Sequence, residues 1–303
     1  MQETNLIWYN KKLVPWNECK IHILTHTLHY GSGAFEGIRF YKTEDGKSAI
    51  FRLKDHVSRL IKSFSIFGTK IPYSQEEIEK VIVDTVKANL NICREGYIRP
   101  IMFHDYGVMG LDPSKAPVSL AVAVWPWEAY LGKDSVKVKT SSYIRLHPNS
   151  VIADAKICGY YVNSIFSSLE AKKAGFDEAL LLDFKGKIAE GPGENLFIVK
   201  HKKILTPKLG NILPGITRAS VIEIANDLGY EVNEKNIFLK ELRKADEAFF
   251  TGTAAEVTAI SQIDDKIIGS GKQGVITKKI KQAYLDVVKG KNEKYKRWLT
   301  YIQ

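Results

Sequence analysis

The chain has 303 residues, of which 45% are hydrophobic and 26% charged, and its formal net charge is +10. That is the composition of a soluble globular protein, long enough for two ordinary domains or one large one, and no apolar run approaches a membrane-spanning length. The basic residues are scattered among acids, with no helix-turn-helix, finger or RNA-binding signature. A nucleic-acid partner is therefore not expected, and the excess charge favours anionic small molecules.

The opening "MQETNLIWYN" lacks a basic region followed by a long apolar stretch, so no secretion signal is read there. Cys19, Cys93 and Cys158 form neither a metal-binding spacing nor a disulfide framework, which fits a reducing, cytoplasmic setting. In chain order, "NLIWYN" and "KLVPW" read as strands around a turn. "LKDHVSRLIKSFSIFG" carries Val57, Leu60, Ile61 and Phe64 at helical spacing, with Gly68 as a stop. "SQEEIEKVIVDTVKANL" is a second helix: Ser74 and Glu77 form a capping box, and Ile78, Ile82, Val86 and Leu90 line one face. "YIRPIMFHDYG" and "VSLAVAVWPW" follow as strands, the latter nearly all apolar and hence central.

Pro126 and Gly132 break the pattern, which puts a linker at 126–132 between a smaller domain, 1–125, and a larger one, 133–303. Beyond it, "VKVKTSSYI" alternates as a strand and "YVNSIFSSLEAKKAG" is a helix ending at Gly175. "EALLLDFKGKIAEG" and "NLFIVKHKKILTP" are strands with turns at Lys185-Gly186 and His201-Lys202. "ITRASVIEIANDLG" is a helix with Val221, Ile224, Ala225 and Leu228 on its core face. "EAFFTGTAAEVTAI" is strand, small-residue turn, strand, and "GVITKKIKQAYLDVV" is a closing helix. The basic cluster "KGKNEKYKRW" reads as a solvated helix end or tail. Strands and helices intersperse in both halves, so the fold class is α/β or α+β.

One lysine, Lys156 in "DAKICGYYVNS", stands among small, apolar and aromatic neighbours. An ammonium normally stays in water, whereas an amine withheld from water serves as nucleophile or base. Lys156 precedes the helix that opens near Tyr161, where helix-terminal positive charge disfavours an ammonium. The plainer reading is a packed stem with its head in solvent. "LPGITRAS" offers the backbone N–H groups of Ile216 and Thr217 and a hydroxyl at a helix start, an anion site or an ordinary cap. "TGTAAE" leaves bare backbone beside Thr251 and Thr253, a second anion candidate or a tight turn. "AEGPGENLF" puts Glu190 and Glu194 in a glycine-rich turn, where a carboxylate caps the turn or faces a cofactor ring nitrogen.

Taken together and in this order, "DAKICGYYVNS", "AEGPGENLF", "LPGITR" and "TGTAAEV" resemble the branched-chain amino-acid aminotransferases, fold-type-IV pyridoxal-phosphate enzymes. "LHYGSGAFEGIRFY", "HVSRL" and "YIRPIMF" extend the resemblance over nearly the whole chain. One departure is Tyr160, where many members carry asparagine. The resemblance implies a small N-terminal α/β domain and a larger C-terminal domain with a barrel-like sheet flanked by helices. It further implies that Lys156 forms a Schiff base with pyridoxal 5′-phosphate and shuttles the proton. Glu190 would bind the pyridine nitrogen and Tyr161 the phenolic oxygen, while Arg59, Ile216, Thr217 and Thr253 would hold the phosphate. Helical periodicity alone would make Arg59 a solvated surface residue. Tyr30, Phe35 and Tyr130 would line an apolar side-chain pocket. Tyr97 and the Thr253–Ala254 backbone would take the α-carboxylate, and Arg99 the distal carboxylate of glutamate. The implied reaction is ping-pong transamination of leucine, isoleucine and valine with 2-oxoglutarate, in a homodimer or larger homo-oligomer.

D-Amino-acid aminotransferases and aminodeoxychorismate lyases share that fold, but "HYGSGAFEGIRFY" and "YIRP" favour the branched-chain branch. A non-enzymatic basic binding protein is the reading from another class. Three weaker signals are set aside. His22, His26 and His29 have zinc-like spacing only on a long helix, and no acid or cysteine joins them, so no metal is expected. "GSGAFEG" has the wrong spacing for a dinucleotide loop. Glu190 and Glu194 share one turn, which makes a glycosidase acid/base pair unsuitable.

Overall fold

A computed structural model describes residues 2–127 and 133–302, so Tyr130 and most of the expected linker lie outside the described residues. The described residues form two compact units: 2–127 with 155–160 and 286–302, and 133–154 with 161–285. No helix among the described residues is long and apolar enough to cross a membrane.

The first unit is built on an antiparallel sheet. Its strand order is Leu299–Ile302, Ser48–Phe51, Ile38–Lys42, Gly96–His104, Val118–Trp125, Leu6–Tyr9 and Lys12–Pro15, and Gly33–Phe35 also pairs with Gly96–His104. The apolar run Val118–Trp125 lies inside the sheet, as expected of a strand without a polar face. Asn10 and Lys11, at φ 42° and 74°, supply the left-handed pair of a two-residue hairpin. Two helices, Leu53–Ser65 and Gln75–Asn89, bury Val57, Leu60, Phe64, Ile78, Ile82 and Val86 in one core with Ile38, Phe40, Ile98 and Leu120 from the sheet. Each such side chain contributes roughly 1.5–3 kcal/mol relative to exposure. The capping box forms: Ser74 Oγ accepts the Glu77 N–H at 3.2 Å, and Glu77 Oε2 accepts the Ser74 N–H at 2.7 Å.

The cluster expected as a solvated tail is instead structural. Glu293–Trp298 is a 3₁₀ helix that buries Tyr295 and Trp298 and leads into the edge strand Leu299–Ile302. The aromatics outweigh the charges: lysine and arginine heads reach water from a backbone that packs.

The second unit has a mixed sheet in the order Val232–Lys235, Lys203–Pro207, Asn195–Lys200, Glu247–Gly252, Glu256–Ile263, Ser135–Ile144 and Glu178–Leu182. The outer pairs are parallel and the middle pairs antiparallel. Its edges approach through residues 187–188: Ile188 bridges Leu182, and Lys187 bridges Phe238, just past the other edge strand. This seam gives the sheet its barrel-like character. Val136, Leu180, Leu196, Ile198, Phe250 and Ile260 fill the core. Tyr161–Lys173, Ile216–Asp227 and the part of Val275–Val288 up to Leu285 are its longer helices. Leu228, expected on a core face, is exposed, because Ile216–Asp227 ends before it and Leu228 turns away as the C-cap.

Candidate active site

In the first unit, Lys156 is not on a helix. The segment that holds it lies beside Gly33–Phe35: Ala34 bridges Ile157, the Phe35 N–H donates to the Lys156 carbonyl at 3.1 Å, and the Lys156 N–H donates to Ser63 Oγ at 2.9 Å. Its backbone is fixed from two sides, and its side chain is half-buried. The amine stands 4.9 Å from the centre of the Phe35 ring. Gly159 then passes Gly31 so closely that a Cβ on Gly31 would lie 2.6 Å from the Gly159 Cα. This close approach, together with φ +65°, makes glycine necessary at 31.

The Phe35 ring links Lys156 to a second cation. The Arg99 guanidinium lies 4.7 Å from Phe35, 5.4 Å from Tyr97 and 6.0 Å from Trp125. Arg99 Nε is buried without a hydrogen-bond partner, which is costly unless an acceptor meets it. An arginine framed by aromatic rings accommodates an apolar chain along the rings and a carboxylate at the guanidinium. Tyr97 is buried, and its hydroxyl occupies the space above Gly37, where a Cβ would fall 1.8 Å from it. Tyr30 ends the short helix His26–Tyr30 and is exposed, its ring 4.6 Å from that of His26. The His26 nitrogens meet Ser32 Oγ and the Gly110 carbonyl.

Arg59 is not the solvated residue its helix position suggests. Glu36, fully buried, accepts Arg59 Nε at 2.6 Å, Arg59 Nη2 at 2.8 Å and His56 Nδ1 at 2.8 Å. Burial alone pushes the Glu36 carboxyl up, but Arg59 and His56 outweigh it and hold the carboxyl far below its ordinary range. Burial pushes His56 down, helped by the positive charges of Arg59 and Lys156 against the pull of Glu36. Burial also raises the Cys158 thiol to about 11, which keeps it protonated beside Lys156. Glu36 and His56 are not singled out by sequence reasoning. The motif "AFEGIRF" contains the signal, a carboxylate set among apolar residues between two strands, which when buried requires a cation.

The second unit gathers another set. Glu190 is buried, and its oxygens take Arg145 Nε at 2.7 Å, Asn195 Nδ2 at 3.0 Å and the Leu213 N–H at 3.2 Å. Arg145, itself buried, also reaches Asn163 Oδ1 at 3.5 Å. Sequence reasoning misses Arg145, which sits in a polar stretch between strand and helix with no motif to mark it. Asn195 also stands against the start of Ile216–Asp227: a Cβ on Gly215 would lie 1.9 Å from its Oδ1. That helix starts at Gly215 without a side-chain cap, and Ile216 and Thr217 are buried. Asn195 pairs with Thr251 across the sheet. Thr251 Oγ1 is buried with no hydrogen-bond partner, Thr253 and Ala254 follow half-buried, and a Cβ on Gly252 would approach the Gly193 carbonyl at 3.2 Å. Tyr161, half-buried, opens the helix Tyr161–Lys173.

The first unit thus assembles Lys156, Phe35, Tyr97, Arg99 and Arg59, and the second assembles Glu190, Ile216, Thr217, Thr253 and Ala254. In the second, an uncapped helix start, an unmet buried hydroxyl and a buried carboxylate are the donor and acceptor set that a phosphorylated pyridine requires. The residues present fit that group.

These features define a protein of two mixed helix-and-sheet units, one with a lysine and an arginine against the Phe35 ring and one with a charge-compensated buried carboxylate near an uncapped helix start. Residues 33–263 match the family model described as amino-transferase class IV. A branched-chain-amino-acid aminotransferase of Pseudomonas aeruginosa is 45% identical over 98% of this chain and 97% of its own. The crystal structure of the T.th. branched-chain amino acid aminotransferase with pyridoxamine 5′-phosphate superposes with a TM-score of 0.96 at 44% identity, covering 100% of both chains. The same protein complexed with N-(5′-phosphopyridoxyl)-L-glutamate gives 0.94 at 43% identity, again over 100% of both chains. The chain belongs to the class IV aminotransferases, with the fold of the branched-chain amino-acid members.

Proposed function

We propose that this protein is a pyridoxal-phosphate-dependent aminotransferase that exchanges amino groups between branched-chain L-amino acids and 2-oxoglutarate, yielding branched 2-oxoacids and L-glutamate by a ping-pong route. The observation that carries the reading is the match, across 98% of the chain, to a branched-chain-amino-acid aminotransferase 45% identical to it. The motif residues that chemistry needs accompany it.

Pyridoxal phosphate, when bound, supplies a ring that accepts the electron pair released at the substrate's α-carbon. Lys156 is the attachment point and, once displaced, the base that moves the proton at that carbon. Its doubly anchored backbone supports this role, because only the side chain has to swing. Glu190 holds the hydrogen of the ring nitrogen, and Arg145 and Asn195 keep its carboxylate oriented. Tyr161 donates to the phenolic oxygen. Arg59, Ile216, Thr217 and Thr253 hold the phosphate. Thr251, with its unmet buried hydroxyl, is added to that set.

Phe35 and Tyr30 line the side-chain pocket, and Tyr97 and the Thr253–Ala254 backbone receive the α-carboxylate. Arg99 receives the distal carboxylate of glutamate. Framing Arg99 with Phe35, Tyr97 and Trp125 allows one pocket to accept an aliphatic chain and an acidic one. The residues act within a homodimer or larger homo-oligomer, in the cytoplasm.

The test is a donor panel with 2-oxoglutarate as acceptor. L-Leucine, L-isoleucine and L-valine should react and D-alanine should not. A protein that prefers D-alanine contradicts the substrate assignment. One that stays colourless after incubation with pyridoxal phosphate contradicts the cofactor.

A further inference from the structure

The second unit contains a cleft of about 170 Å³ that none of the proposed cofactor or substrate residues lines. Its polar walls are Asp183, Lys187, Lys208, Asn211, Lys235 and Asn236. It lies at the seam where the sheet's edges approach, beside the Lys187–Phe238 bridge. One carboxylate, Asp183, lines the cleft against three lysines. Asp183 Oδ1 accepts the N–H groups of Lys185 and Lys187 at 2.8 and 2.9 Å, closing a turn, and Glu241 accepts the Lys235 amine at 2.8 Å. Lys187 and Lys208 pair with no carboxylate among the described residues. Asn211 adds a second feature: both Nδ2 and Oδ1 are buried and neither has a hydrogen-bond partner. Two uncommitted amines and a buried carboxamide with donor and acceptor both unmet form a recognition set for oxygen-rich anions.

We propose that this cleft is a second binding site, for a small oxyanion of the phosphate or dicarboxylate type. Lys187 and Lys208 meet its charge and Asn211 Nδ2 donates to one of its oxygens; when the anion is hydrogen phosphate, its hydroxyl donates to Asn211 Oδ1. The site is joined through the backbone to Glu190. Ile188 and Ala189 lead directly into Glu190, and Asn211 and Ile212 lead into Leu213, whose N–H donates to Glu190. An anion seated here holds both segments from behind and so favours one placement of the Glu190 carboxylate. That coupling, unlike the binding itself, rests on the cofactor role given to Glu190 above.

Isothermal titration of the pyridoxal-phosphate-loaded full chain with inorganic phosphate, and separately with succinate, tests the site and tells the two anion sources apart. Saturable binding of at least one is expected. Lys187→Gln with Lys208→Gln should weaken it at least about tenfold, the loss of two charge-assisted contacts. Arg99→Ala should leave unchanged the phosphate binding, and the part of succinate binding that the double variant weakens, which separates this site from the substrate pocket. The proposal is overturned if neither anion binds saturably, if the double variant binds like the parent, or if Arg99→Ala abolishes the heat. The double variant should still transaminate L-leucine, so that assay on the same preparations judges the proposed reaction independently.

Discussion

Glu36→Gln tests how the first unit holds Arg59. The substitution keeps the side chain's size and one carbonyl oxygen, but removes the charge facing Arg59 and His56. The carboxylate is fully buried and takes three charge-assisted or polar contacts between 2.6 and 2.8 Å. Leaving one partner of a buried ion pair without the other costs about 3–5 kcal/mol. The retained oxygen puts this variant near the lower end, at about 3 kcal/mol near neutral pH. The pH dependence has a definite sign. The folded carboxyl lies below its unfolded value, so its stabilisation is complete above the unfolded pKa of about 4.3 and is lost as pH falls toward the folded value. Urea unfolding followed by tryptophan fluorescence, at about pH 7 and then at about pH 3.5, reads both effects. The gap between parent and variant should be wide at the first and narrower at the second. A gap under about 1 kcal/mol at neutral pH, or one that widens in acid, refutes the reasoning.

Lys156→Ala should all but abolish transamination while pyridoxamine phosphate still binds; substantial residual turnover with L-leucine removes Lys156 from its role. Arg145→Met should destabilise the second unit by about 3 kcal/mol in urea unfolding, and adding Glu190→Gln should recover most of the loss, because the cost lies in the stranded charge. A single variant as stable as the parent contradicts the pairing. Gly37→Ala places a methyl group where the Tyr97 hydroxyl sits, so kcat/KM for glutamate should fall at least about tenfold. Unchanged kinetics shows that Tyr97 does not position substrate.

The parts of the fold legible in the sequence are those whose causes are local. Ser74 and Glu77 cap one another across three residues, and the helix Gln75–Asn89 that follows keeps its apolar spacing without help, as Ile78, Ile82 and Val86 show. Gly33–Phe35 is not legible as a strand because its ladder partner is the distant Gly96–His104, whereas Ile38–Lys42 and Ser48–Phe51 form a local hairpin that is extended on either side by Gly96–His104 and Leu299–Ile302. In the site, residues in recognisable motifs are legible, but those acting on them are not. Arg145 shares no motif with Glu190, and Glu36 and Arg59 lie on an inter-strand connection and a helix that only tertiary packing brings together. Helical periodicity ranks a residue by its neighbours on one cylinder and takes no account of a buried acid opposite, which is why it misjudges Arg59.

The edge position of Leu299–Ile302 also fixes an order of events at the ribosome. Every residue of the second unit is made before this strand is, yet the first unit's sheet stays open along Ser48–Phe51 until it arrives. A chain that ends just short of Leu299 therefore has every residue of the second unit but an unprotected row of backbone donors and acceptors along Ser48–Phe51, the kind of edge at which partly made chains associate wrongly.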